Sequence, residues 1–320
     1  RFHKISIFFV SKTITLLMLL MTTTNKQEEE QLHDLLITNN NNNQSRNNNI
    51  PMIRSIINSI ANSIRRVLGR LQLELEFHSW SDQPQFNTSY GLGRVALLSL
   101  VLGCLLGSHF VVLLLLLLTE KEILSEERQQ LVIQWCCYIC ILCIFHLSEF
   151  FVTAFYNPTV VTSDSFVINH SHSYTAAAIL SSMEYSIRFC FFPSYNSKTI
   201  SYIGLVFVLV SQCIRTMAIA TCGESFNHLI QTRKKDNHVL ITRGIYNYFR
   251  HPSYLGFFYW SIGTQLVLCN PIHTFIFTIA TWYFFQRRIR YEEESLKQHF
   301  PDEYAIYASQ TYIGIPFIYT

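Results

Sequence analysis

From about residue 90 onward, long apolar runs alternate with short polar connections. Runs of membrane-crossing length cover about 95–118, 131–154, 174–192 and 200–221, each near the roughly 18–20 residues that a bilayer requires. Ser181, Ser182, Glu184 and Arg188 interrupt the third run, so it is expected to face protein rather than lipid. A polar connection over 222–250 precedes two shorter apolar arms, about 255–268 and 272–286, which turn at Cys269-Asn270-Pro271. Proline there limits helix continuation and pushes its neighbour out of the helical region. The pattern predicts an all-α, multi-pass integral membrane protein with six clear crossings and room for as many as eight.

The first quarter reads differently. The chain opens on Arg1, and residues 5–21, after Lys4, suit a signal peptide or anchor, while Met21 reads as a natural start. Residues 22–50, with the asparagine run at 39–43, lack the apolar content for a core and are expected to be disordered. Over 53–77, apolar positions at helical spacing alternate with Arg54, Arg65, Arg66 and Arg70. That pattern predicts a basic amphipathic helix on the membrane surface, with an ordinary solvated helix as the alternative.

Composition narrows the class. Of 320 residues, 49% are hydrophobic and 14% charged, against about 25% charged in an average soluble domain. The mean hydropathy is +0.21. A net charge of +3 without a basic stripe gives no footprint for nucleic acid. Most of the nine cysteines, among them Cys104, Cys136, Cys137, Cys140, Cys143, Cys190 and Cys213, lie inside apolar runs and read as reduced packing residues. Loop charge supplies the orientation. Arg233, Lys234, Lys235, Arg243 and Arg250 crowd 222–250, whereas Glu120, Glu122, Glu126 and Glu127 occupy 119–130. The positive-inside rule then puts both termini and the 222–250 loop in the cytosol.

Candidate chemistry concentrates between His238 and Leu296. Arg288 and Glu292 stand four apart, so on a helix they share a face about 6 Å apart. One could bind a carboxylate and the other an ammonium group; the alternative is a helix-end ion pair of little energetic worth. Gly244 and Gly256 are expected to let backbone approach a ligand, and Tyr246 and Tyr254 offer aromatic faces that suit a cation. Elsewhere, Cys136, Cys137, Cys140 and Cys143, the His170/His172 pair and the His146/Glu149 pair have metal-compatible spacings. Packing explains the cysteines, and hydrogen bonding between helices explains the other pairs. No P-loop, G-x-S-x-G elbow or G-x-G-x-x-G is present, so a nucleotide-like cofactor would be bound some other way.

FHLSEFFVTAFYNP at 145–158, DSFVINHS at 164–171, FNHLIQ at 226–231, RGIYNYFRHPSYLGFFYWSIGTQLVLCNP from Arg243, EEESL, Tyr304, Tyr307 and GIPFI form a dense set of motifs. Over about 145–320 they resemble the protein-S-isoprenylcysteine O-methyltransferase family. The shorter RHPxYxG-to-EE pattern is similar to that of membrane phospholipid methyltransferases and sterol reductases. The resemblance implies a pocket for S-adenosyl-L-methionine formed by the C-terminal helices and loops: Gln231, His238, Val239, Leu240, Ile241, Tyr246, His251, Pro252, Ser253, Tyr254 and Glu292. It implies that Arg288 engages the substrate carboxylate, and that the catalytic pair is Arg288 and Glu292.

The implied substrates are prenylated C-terminal cysteines, farnesyl or geranylgeranyl, of small GTPases and other CaaX proteins. The implied setting is the endoplasmic reticulum membrane, in contact with lipid, with the active site toward the cytosol. The corresponding division is a tail over 1–52, a membrane-proximal segment over 53–90, substrate-side membrane helices over 91–222, and a cofactor-binding methyltransferase core over 223–320. Ile241 stands where valine is common, Thr311 replaces a usual valine, and animal members look eight-spanned where this chain yields six crossings. Competing readings are methyl transfer to a phospholipid amine, which lacks the FHLSEF and DSFVINHS matches, and a non-enzymatic transporter, for which no internal repeat is visible.

Overall fold

A computed structural model describes residues 83–118, 125–168, 172–228 and 239–319 of the chain. Their architecture is all-α. In chain order it comprises α1 (Pro84–Asn87), α2 (Leu92–Leu118), α3 (Glu126–Tyr156), a 3-10 turn (Ser163–Phe166), α4 (His172–Phe191) and α5 (Lys198–Cys222). Two further 3-10 turns (Gly223–Ser225 and Gly244–Asn247) precede α6 (Pro252–Val267), α7 (Pro271–His299) and α8 (Pro301–Gln310). The segments 5–21, 22–50 and 53–77 lie outside the described residues, as do His170 and the acidic stretch before Ser125.

A helix stands at each of the six apolar runs. Three are long and apolar enough to cross a membrane: α2, α3, and α5 with its 3-10 extension to Ser225, at 27, 31 and 28 residues. α7 is about twice as long as its apolar arm, running to His299. No breaker intervenes before Pro301, whose preceding residue Phe300 leaves the helical region at φ −136°, ψ 62° as the proline demands. One rigid helix therefore carries both the apolar arm and the charged RRIRYEEESL stretch.

Aromatic packing binds α3 to its neighbours. Trp135 stacks on Tyr185 of α4 at 4.9 Å, Phe145 meets Trp260 of α6 at 4.2 Å, and Phe150 stacks on Phe166 at 4.2 Å. The Phe166 carbonyl also meets His146 Nδ1 at 2.8 Å. The FHLSEF and DSFVIN segments thus fold against each other, which accounts for His146 as a tie between α3 and the 3-10 turn. Cys136, Cys140 and Cys143 are buried in the same helix as free thiols.

Of the polar interruptions of the third apolar run, Ser181, Glu184 and Arg188 face the α6–α7 turn, while Ser182 donates back to the Ala178 carbonyl of its own helix at 2.8 Å. Arg188 donates to the carbonyls of Leu268 and Cys269 and to Asn270 Oδ1. Asn270 Nδ2 donates to the Ser181 carbonyl at 3.0 Å. Glu184 accepts the first free backbone N–H groups of α7, from Ile272 at 3.0 Å and His273 at 2.9 Å. Exposed helix N-termini carry unsatisfied donors, and α4 supplies the acceptor this one needs.

The most extensive helix pairing is α5 against α6. Small residues make it possible: a Cβ on Gly204 would lie 2.5 Å from Val267 N, and one on Gly263 3.0 Å from Phe207 Cβ. Gly256, expected to admit a ligand, instead admits α5, because a Cβ there would lie 2.8 Å from Arg215 Cβ and 2.9 Å from the Ser211 carbonyl oxygen. Gly244 serves the backbone: its φ of +61° opens a 3-10 turn in a region that L side chains avoid.

Arg215 is the counterpart of Glu149. Its Nε and Nη2 donate to the two carboxylate oxygens at 2.6 Å each, and its Nη1 donates to Ser253 O and Oγ at 3.1 Å. The guanidinium carbon lies 5.4 Å from the Phe145 ring and 5.3 Å from the Phe257 ring. One buried charge pair thus joins α3, α5 and the start of α6.

Two stability measurements in detergent check this packing. Gly256→Ala is expected to cost about 1–3 kcal/mol through overpacking, lowering the melting temperature, while Gly103→Ala, whose Cβ would meet nothing within 4 Å, leaves it unchanged. Equal melting of the two variants would show slack at the α5–α6 contact. Glu149→Ala strands the Arg215 charge and is expected to cost about 3–5 kcal/mol; the double variant Glu149→Leu/Arg215→Met should recover part of that loss. A double variant less stable than Glu149→Ala contradicts a desolvation-dominated pair.

Candidate active site

The site begins with a loop that cannot hold its own shape. Residues 239–251 contain a single 3-10 turn, Gly244–Asn247, and take their order from the C-terminal tail. Phe249 and Tyr312 form a parallel bridge. The Arg250 N–H donates to the Tyr312 carbonyl at 2.8 Å, and the Tyr312 N–H donates to the Tyr248 carbonyl at 3.0 Å. The Arg250 side chain completes the clamp, donating to Glu293 Oε1 of α7 at 2.9 Å and to the Ala308 and Thr311 carbonyls. Tyr307 Oη donates to the Tyr246 carbonyl at 2.8 Å.

The loop delivers His251 to the base of α7. Its Nε2 donates to Glu293 Oε1 at 3.2 Å, its Nδ1 lies 3.7 Å from Glu292 Oε2, and its ring stacks on Tyr254 at 5.5 Å between centroids. Pro252 follows as the first residue of α6, where a missing N–H costs nothing. It is buried there and does not reach the cavity wall.

The charged half of α7 lies over this loop. Arg288 Nε donates to Tyr254 Oη at 2.9 Å, its Nη2 donates to the His228 carbonyl, and its guanidinium sits 5.3 Å from the Tyr254 ring centroid. One turn further on, Glu292 Oε2 is buried without a hydrogen-bond partner. A buried carboxylate oxygen in that state is a strong acceptor awaiting a donor.

These side chains surround one cavity. Of the expected site residues, Val239, Leu240, Ile241, Tyr246, His251, Ser253, Tyr254, Arg288 and Glu292 all line it, while Gln231 and His238 lie outside the described residues. Phe257, Phe284 and Phe285 supply an apolar wall, and Arg215 and His228 also line the cavity. Burial above all, together with Arg215 and Arg288 and against the pull of Glu149, pushes His228 down to about 4. Burial likewise holds the Tyr246 phenol well above its usual range. Both rings are therefore neutral at physiological pH. Among the described residues, no group of three or more His, Cys, Asp or Glu side chains comes together as a metal site.

Arg215 and His228 had no assigned role from sequence. A signal for Arg215 was available, since an arginine in the middle of an apolar run demands a partner, and Glu149 is that partner. His228 lies within the FNHLIQ match, but nothing local distinguishes it from its neighbours.

Known proteins resemble this chain in sequence and fold. Residues 203–298 match the isoprenylcysteine carboxyl methyltransferase family. A protein-S-isoprenylcysteine O-methyltransferase of Xenopus laevis is 47% identical over 182 residues, 57% of this chain and 63% of that protein. Its counterpart in Saccharomyces cerevisiae is 43% identical over 188 residues, 57% of this chain and 79% of that protein. A solved structure of a eukaryotic intramembrane Ras methyltransferase superimposes with a TM-score of 0.60 at 42% identity, over 67% of this chain and 74% of that one. The present chain spans less than two thirds of the frog protein's length but most of the yeast one's. The identity extends well past the short methyltransferase pattern, and the chain belongs to the isoprenylcysteine carboxyl methyltransferase family.

Proposed function

We propose that the protein transfers a methyl group from S-adenosyl-L-methionine to the α-carboxylate of a C-terminal prenylated cysteine, farnesyl or geranylgeranyl. The observation that carries this reading is the pairing, one helical turn apart on a single cavity wall, of Arg288 with a Glu292 carboxylate whose buried oxygen lacks a donor. The substrates would be small GTPases and other CaaX proteins, in keeping with the Ras methyltransferase that the fold resembles.

The residues fit the cofactor. Glu292 Oε2 wants a charged donor, which the ammonium of an amino-acid moiety provides, and Val239, Leu240, Ile241 and Tyr246 offer apolar surface beside it. S-adenosyl-L-methionine, when bound, supplies an electrophilic methyl group on a sulfonium. Arg288, steadied by Tyr254 and the His228 carbonyl, is placed to hold the acceptor carboxylate with a guanidinium, whose forked donors match carboxylate geometry. That carboxylate is ionised at neutral pH, so the protein need not supply a general base. Its task is to orient the reactants and to keep water off the nucleophile. The Phe257, Phe284 and Phe285 wall, continuous with the apolar helices, serves the second purpose. A prenyl chain could enter beside that wall from lipid.

The same reading implies six crossings, counting α4, α6 and α7 with the three longest helices. It places 222–250 and the chain end in the cytosol of an endoplasmic reticulum membrane, where the cofactor is available. Protease accessibility of tags checks this: a tag within 222–250 is expected to be cleaved from the cytosolic side of sealed microsomes and one within 119–130 protected. The reverse pattern overturns the topology.

Variants of the two α7 residues test the chemistry. Arg288→Lys keeps the charge but loses the fork, so it should reduce use of N-acetyl-S-farnesylcysteine while leaving cofactor affinity nearly unchanged. Glu292→Gln should weaken S-adenosylmethionine binding by roughly 10- to 150-fold, the equivalent of a charge-assisted hydrogen bond of about 1.5–3 kcal/mol. Cofactor titration and radiolabel transfer on the same preparations separate the two roles. Equal losses of cofactor and substrate affinity in both variants would contradict the division of labour.

A further inference from the structure

Beyond α8 the chain packs back onto α6 and α7. Ile313, Ile315 and Ile318 are buried against Leu255, Phe258 and Phe285. The residues between them turn outward: Tyr312, Phe317 and Tyr319 are 75%, 76% and 78% exposed.

The partners of this tail set its depth. Trp282 Nε1 donates to the Pro316 carbonyl at 2.8 Å. Trp282 stands in the apolar arm of α7, about 9 Å along the helix from Arg288 at 1.5 Å per residue. Ile214 of α5 packs against the same apolar cluster. α5 with its extension is 28 residues long, about 42 Å, which matches a bilayer with its headgroups. Ile214 lies roughly 16 Å inside the Ser225 end, at the level of the hydrocarbon.

The tail also carries a strained tip. Pro316 and Phe317 form a turn, closed by the Ile318 N–H donating to the Ile315 carbonyl at 3.4 Å. Phe317 takes a φ of +63°, where a turn ordinarily carries glycine or asparagine and a bulky side chain is an outlier. In water an exposed phenylalanine at that position is strained and gains nothing. In hydrocarbon, removal of its ring from water offsets the strain.

We infer that the Pro316–Phe317 turn inserts into the bilayer leaflet beside α6 and α7, with phospholipid acyl chains as its partner, and that this contact helps to hold the 239–251 loop. The turn reverses the chain, so its tip enters the leaflet without crossing it. Tyr312 and Tyr319 flank the tip, which suits the interfacial level where tyrosine concentrates. The link to the cavity is direct: the Tyr312 backbone bonds to Tyr248 and Arg250, and the Thr311 carbonyl accepts from the Arg250 side chain.

The test uses the full-length enzyme at one copy per nanodisc, without acceptor, so that neither a second copy nor a prenyl chain can cover the turn. Hydroxyl radicals generated in the water report wetted side chains. A phosphatidylcholine with a diazirine midway along one acyl chain reports lipid contact, and peptide mass spectrometry locates both labels. Phe317 should carry the lipid adduct and escape oxidation, as should the exposed Tyr202 of α5; Tyr291, on the charged half of α7, should show the reverse. Absence of the adduct at Phe317 overturns the insertion, whether water or another segment of the chain covers the ring. Neither label needs turnover, so the result stands apart from the proposed reaction.

Phe317→Asn then tests the coupling, because asparagine accepts a positive φ but resists hydrocarbon. In nanodiscs it should weaken S-adenosylmethionine binding about threefold or more, while Phe317→Leu stays within about twofold of the wild type. Unchanged or tighter binding by Phe317→Asn, as a solvated turn relieved of strain would give, overturns the coupling. An equal loss in Phe317→Leu also overturns it.

Discussion

A charged side chain enclosed by apolar helices must be met by its opposite, and that requirement governs the rest of this structure. Glu149 and Arg215 meet it for each other with two 2.6 Å contacts. Removing both ions from water costs several kcal/mol per ion, and the geometry compensates only because every nearby surface cooperates. Phe145 and Phe257 flank the guanidinium, Ser253 takes its third nitrogen, and Gly256 leaves room for its stem. α3, α5 and α6 are thereby brought into one register, and the cavity opens where they meet α7.

A second arginine does comparable work at the far end of α6. Arg188 gathers the carbonyls of Leu268 and Cys269, where the chain leaves α6 to begin α7. α6 is thus pinned at its start by Arg215 and at its end by Arg188, with Gly256 and Gly263 drawing its length against α5. A short helix of 16 residues has little intrinsic stability; its fixed position comes from the clamps at both ends. The residues that begin it, His251 to Tyr254, inherit that fixity.

Much of this could be read from the chain. Helix positions follow from apolar runs bounded by polar turns, and the proximity of Arg288 to Glu292 follows from helical spacing. The inward face of α4 was legible because Ser181, Ser182, Glu184 and Arg188 are too polar for lipid. What sequence conceals is pairing across long separations. Glu149 stands three residues from His146 and looks like its partner, but 66 residues separate it from its actual one, Arg215. Gly256 sits beside RHPSY and looks like part of a ligand loop, although its missing side chain serves a neighbouring helix. The His228 carbonyl receives a hydrogen bond from Arg288, 60 residues away. Local periodicity carries no information about such contacts.

The tie between Phe249 and Tyr312 also bears on the order in which the protein can be completed. Nearly all of the cavity wall is made before residue 310, and α5, α6 and α7 can pair as soon as they have been synthesised. The 239–251 loop needs more than these helices: besides Glu293 of α7, the groups that order it belong to Tyr307, Ala308, Thr311 and Tyr312. Residues 308–312 are synthesised after α5, α6 and α7, so those helices exist before the contacts that order the loop, and the site is completed only when that later stretch has joined them.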